Sequence, residues 1–300
     1  MPIFESVVGP QKEQSFEKKE NQTETLESVL DSIMSAEEYS HIEYPTPYTF
    51  ELKTGDTQLH YFGSPHISDP QNPLFTEIEA AFNKVNPDIV FVEGINVSGY
   101  KTKFNEKVKS ATREEAIDRM GESGFTLKLG VDKGIDWSSP EPTDEDLYKN
   151  LLAKGFSKDQ IFAWDVFLIL PQYHRQTNKQ GFKQYIQPFL ESFKQATYWE
   201  GFDYSYERVM QLGEQIFGEA VDVENDPNAL DRIDPIPWDE KKEKQTILNR
   251  IGEASSLFRD RKIVSDIAET IKTHKRIFIV YGASHAVMQE PALRKLFALK

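Results

Sequence analysis

The spacing of apolar and polar positions changes several times along the chain, and each change predicts an element. Residues 10–24 (PQKEQSFEKKENQTE) carry Phe16 as their only large apolar residue, so residues 1–24 read as a mobile tail. Leu26, Val29, Leu30, Ile33 and Met34 then recur at helical spacing and predict a short amphipathic helix docked on the body. From Tyr48 the period becomes two. Tyr48, Phe50 and Leu52 alternate with polar residues, "TGD" turns the chain, and Leu59 and Tyr61 resume the alternation as a hairpin. Leu74, Ile78, Ala81, Phe82 and Val85 share a helical face and lead into the compact run "DIVFVEG". Strand, helix, strand in that order implies parallel strands in one sheet.

A further helical segment around Glu114 to Leu129 runs into "GIDW", which reads as a third strand of this series, followed by "SSPEP". From Thr143 to about Glu240 the pattern is helical throughout, rich in aromatics, and closes on the turn-rich "VENDPNALDRIDPIPW". A long helix follows, with Leu257, Val264, Ile267, Ala268 and Ile271 on one face, and then the strand "IFIVYGASH". No repeat of 20 to 50 residues is visible. The expected fold is α/β: a mixed, mostly parallel central sheet flanked by helices. Residues 25–300 form one domain, with a helical insertion at about 143–240 lying over the C-terminal strand ends.

Composition narrows the partners. The 300 residues include 49 acidic and 35 basic side chains, a net charge of -14, which disfavours nucleic acid or anionic lipid and leaves a small molecule or peptide. The absence of cysteine excludes disulfides, thiolate metal sites and a cysteine nucleophile. No run reaches the ~18 apolar residues of a membrane span, and the N-terminus lacks an apolar signal region. A cytoplasmic protein is expected, or an exported one if a signal peptide has been removed. Nothing in the pattern sets the oligomeric state.

Ligands of open α/β sheets bind outside the carboxyl ends of the strands, and His66, Glu93, Glu141 and His285 each follow a predicted strand. Both histidines close a Gly-x-x-His turn, "GSPH" and "GASH". A glycine after the last paired residue would let the chain turn sharply and aim the imidazole back over the sheet edge. Two neutral histidines with one or two carboxylates suit a divalent Mn, Co, Zn or Fe ion, which would activate water and polarise a carbonyl. Glu141, between two prolines, could instead simply precede the N-cap Thr143. Cationic help would come from "RDRK", where helical geometry favours Arg261 over Arg259 because it lies nearer the apolar stripe. His41, His60, His174 and His274 read as structural or surface residues. The aromatics Trp164, Phe167, Tyr173, Tyr198 and Trp199 read as core, with the alternative that they enclose haem.

Six short stretches in order, "GSPH", "VEG", "GESGF", "SPEP", "RDRKIVSDI" and "VYGASH", resemble motifs of the TraB/TIKI superfamily, which groups TraB/PrgY/GumN proteins with erythromycin-esterase-like and ChaN-like ones. The resemblance covers Leu59 to the C-terminus, with little contribution from the insertion. It implies an α/β core in which the paired Gly-x-x-His motifs face one another across a site completed by glutamates and an arginine. His66 and His285 match the motif histidines, Glu93 and Glu141 the glutamates after the strands, and Glu122 a glutamate of the bacterial branch; Arg259 matches better than Arg261. Metal-dependent proteolysis is implied by TIKI-like members, metal-free ester hydrolysis by erythromycin-esterase-like ones and haem binding by ChaN-like ones. The expected function is therefore metal-dependent hydrolysis of a peptide or other acyl bond. His66, Glu93, Glu141 and His285 are the candidate metal ligands, one glutamate being the base, and the metal-free esterase and the haem-binding protein are the alternatives.

Overall fold

Residues whose spacing alternates by two form the expected hairpin, β1 (Tyr48–Thr54) and β2 (Thr57–Ser64), turning at Gly55, whose φ of +52° suits glycine. The structure is a computed structural model that describes residues 25–95, 101–174, 180–226, 229–235 and 245–299. The predicted tail thus lies outside the described residues, as do 236–240 of the predicted insertion. The helix expected from Leu26 to Met34 stops early, as α1 (Leu26–Leu30), and a second helix that was not expected follows, α2 (Ala36–Ser40). Ser35 explains the break: its hydroxyl accepts the Glu38 N–H while the Glu38 carboxylate accepts the Ser35 N–H, a capping box that starts a new helix.

The remaining core elements are α3 (Leu74–Val85), β3 (Ile89–Val92), α4 (Lys101–Ser110), α5 (Arg113–Asp132) and β4 (Asp136–Ser138). The insertion supplies α6 (Asp144–Ala153), α7 (Lys158–Phe167), α8 (Leu170–His174), α9 (Phe182–Tyr185), α10 (Gln187–Thr197) and α11 (Tyr206–Phe217). The chain ends with α12 (Ile247–Thr270), β5 (Arg276–Gly282) and α13 (Ala283–Ala298). No described helix is long and apolar enough to cross a membrane.

The five strands form one mixed sheet in the order β1-β2-β5-β3-β4, in which only β1 is antiparallel to its neighbour. The unit β2-α3-β3 is parallel as expected, yet its strands do not touch, because β5 inserts between them. Alternation along β5 explains its central place. Ile277, Ile279 and Tyr281 pack with α1, α12 and α13, whereas Phe278 and Val280 pack with α3 and α5 on the opposite face. A strand buried on both faces has to be internal.

The insertion has a core of its own, built around Phe162, Trp164, Phe167, Tyr173 and Phe182. Helix α12 belongs to both bodies. Leu248 and Ile251 in its first turns join the insertion core, and Ile263, Val264 and Ile267 join the sheet core. Arg259 and Asp260 fall between the two.

Candidate functional site

The parallel strands β2, β5, β3 and β4 end on one edge of the sheet, and each is followed within three residues by one of the four expected side chains. The glycines of the two Gly-x-x-His stretches act differently from expectation. Neither takes a positive φ; Gly63 and Gly282 are still in strand register, opposite Tyr281 and Ser64. They permit close approach instead. A Cβ on Gly63 would sit 2.7 Å from the Ala286 Cβ and 2.9 Å from the Tyr48 carbonyl oxygen. A Cβ on Gly282 would sit 2.7 Å from His66 Nε2 and 3.4 Å from Glu93 Oε2, so the first imidazole lies directly against the second glycine.

The turn at His66 is made by His66 itself, at φ +61°. What holds this left-handed backbone is the next residue, whose N–H donates to the buried Glu122 carboxylate. Glu122 is aimed there by a kink in α5 at Met120 and Gly121. Glu122, expected as a catalytic residue, is placed beneath the His66 loop and bonded to its backbone. His285 instead rides in the first turn of α13, capped by Gly282, and is buried while His66 is exposed.

Between the histidines lies a charged knot. Glu93 accepts the Gly282 N–H at 2.7 Å and an Arg259 Nη2 hydrogen at 3.3 Å, and its Oε1 is 3.7 Å from His285 Nε2. Arg259 also donates to Glu141 through Nε at 2.8 Å and Nη2 at 3.2 Å, a bidentate pair. Burial alone would raise the Glu93 pKa; His285, Arg259, His66 and the Gly282 N–H outweigh it and hold the carboxyl at about 2. For His285, burial favours the neutral ring, but Asp260 and Glu93 together raise its pKa above the usual histidine value.

Asp260 was absent from the sequence expectations. It is fully buried, 2.6 Å from His285 Nδ1, and accepts from behind a hydrogen bond of 2.7 Å from Nε2 of Gln289, whose Oε1 in turn accepts the Tyr61 hydroxyl hydrogen at 3.1 Å. With Nδ1–H donating to Asp260, Nε2 is the nitrogen presented to the site. The signal was available: Asp260 precedes Val264, Ile267 and Ile271 by four, seven and eleven positions, a carboxylate on the core-facing stripe. Because Asp260 takes that buried line, the residues on either side diverge by about 200° around the helix. Arg259 enters the site, whereas Arg261 pairs with Glu27 at 2.5 Å and Asp31 at 3.0 Å on the far flank. The expectation that Arg261 reaches inward is therefore corrected.

Glu141, Arg259, Ser284 and His285 line one end of a cavity of about 450 Å3 whose other wall is the insertion. The size suits one small molecule. The donor set fits a resident metal poorly, because the Arg259 guanidinium already takes the place of a cation between Glu93 and Glu141. Among the described residues no three His, Asp or Glu side chains are spaced to hold an ion.

The minor histidines behave as expected. His60 stacks on Phe278 at 5.4 Å and lies 3.3 Å from Glu51, and His174 Nε2 is 2.9 Å from the Val223 carbonyl oxygen. His274 Nδ1 lies 3.0 Å from the Thr273 hydroxyl, and His41 is exposed. Of the aromatics considered for haem, Trp164, Phe167 and Tyr173 are buried in the insertion core and Trp199 packs against it, whereas Tyr198 is exposed. Trp164 also lines the cavity. No protein family, curated protein or solved structure is matched by this chain.

Proposed function

We propose that the protein is an acyl hydrolase that works with its own His, Glu and Arg side chains at the sheet edge. The observation that carries this is His285, a buried imidazole oriented by Asp260, presenting Nε2 toward Glu93 on the wall of a cavity. The resemblance to the TraB/TIKI superfamily points the same way.

In this reading His66, exposed beside Glu93, takes a proton from water as the water oxygen attacks the acyl carbon. Arg259 and the cationic His285 face the carbonyl oxygen as it gains negative charge. His285 Nε2 then gives its proton to the leaving oxygen or nitrogen, and the proton held by His66 restores it. Glu93 and Glu141 hold Arg259 in place. A metal-assisted version would require both carboxylates to exchange their arginine hydrogen bonds for an ion.

The test is a panel of p-nitrophenyl esters and aminoacyl anilides with the parent, His66→Asn and His285→Ala, each with and without exhaustive chelation. Parent turnover that survives chelation and falls ~100-fold or more in both variants is expected, the usual scale for loss of a general acid or base. Activity lost on chelation and restored by Mn or Co would put a metal in the site. Full turnover in both variants, or no turnover by the parent, would overturn the proposal.

A further inference from the structure

The insertion side of the cavity carries polar groups that the proposed chemistry does not use. Asp165, on α7, lines it and accepts a hydrogen bond from the Tyr148 hydroxyl at 2.7 Å, but among the described residues no cation pairs with it. The cationic side chains lining the same cavity are Arg259 and His285, and both are engaged by Glu93, Glu141 and Asp260. The neighbouring residue repeats the situation with a donor. Trp164 is only 3% exposed and lines the cavity, yet its indole N–H has no acceptor. Elsewhere in the insertion Thr143, Ser157 and Ser205 cap their helices, although Asn150 Oδ1 is also without a partner. A carboxylate without a cation and a donor without an acceptor, on adjacent residues that line one cavity, suit a ligand with the complementary pair.

We infer that this end of the cavity is a subsite for a protonated amine, with Asp165 as counter-ion and the Trp164 N–H donating to a neighbouring ligand oxygen. The substrate is then an acyl compound that also bears an ammonium group. Leu168 and Ile233 beside it offer an apolar surface for an aliphatic side chain. Burial pushes the Asp165 carboxyl up to about 7, as befits a carboxylate whose partner arrives with the ligand. The substrate class rests on the hydrolase reading; the amine subsite does not.

Calorimetric titration with leucinol and its deamino analogue 4-methylpentan-1-ol, neither of which has an acyl bond to hydrolyse, tests the subsite at pH 8, where most of the carboxyl is ionised. Leucinol is expected to bind at least tenfold more tightly. Asp165→Asn, which keeps an acceptor for Tyr148, should bring that ratio close to one without lowering the melting temperature, and Trp164→Phe should weaken leucinol several-fold. Equal or undetectable binding of the two probes by the parent, or a preference surviving in Asp165→Asn, would overturn the inference. Selective leucinol binding by a protein that turns over no acyl compound would sink the hydrolase reading alone.

Discussion

The two Gly-x-x-His stretches are near-identical in sequence and unlike in structure. The first puts its histidine on an exposed left-handed turn, pinned through Glu122; the second puts it one turn into a helix, buried and backed by Asp260. They meet because His66 rests on Gly282 and both face Glu93. A repeated motif here fixes where two imidazoles converge, while their neighbours decide what each can do.

The largest effect that could break this comparison is in stability. His285→Ala removes the imidazole bonded to the buried Asp260 and should cost ~3–5 kcal/mol in urea denaturation, whereas His66→Asn should change stability by less than ~1 kcal/mol; both should abolish turnover. Equal losses would mean that the turns are equivalent after all. The glycines give the next contrast. Gly63→Ala meets fixed backbone and should cost ~1–3 kcal/mol, while Gly282→Ala meets the ring of a surface histidine and should lower activity far more than stability.

Acid titration comes third, since Glu93 serves both turns. Its folded pKa of about 2 lies below the ordinary 4.5, so its stabilisation is complete above pH 4.5 and is lost as pH falls through 2. The loss amounts to at most ~3 kcal/mol, and Glu93→Gln should flatten this acid limb. His285 has the opposite sign: its contribution is full below pH 6.5 and fades as pH rises through its raised folded value. The smallest effect is the control. Arg261→Ala removes half-exposed pairs and should change stability by less than ~1 kcal/mol and turnover not at all; a large loss of turnover would return Arg261 to the site.

The strand ends were readable because alternation and short apolar runs mark where a strand stops, which placed His66, Glu93, Glu141 and His285 correctly on one edge. The sheet order was not readable, since only the two-faced burial of β5 puts it between β2 and β3. Arg261 misled because the stripe was traced through its apolar members alone; admitting Asp260 as a buried polar member moves the stripe and selects Arg259. The function of Glu122 depends on a kink at Gly121 whose partner, the Ile67 backbone, is remote in sequence.

Helix α12 completes the insertion core with its first turns and the sheet core with its last, so the insertion is no exchangeable cassette. A graft from Thr143 to Pro235 would arrive without Leu248 and Ile251, and the recipient would lose the ruler that sets Arg259 against Glu141. Any recombination of pocket with sheet edge has to cut within α12 itself, between Ile251 and Arg259, and keep the helix in phase.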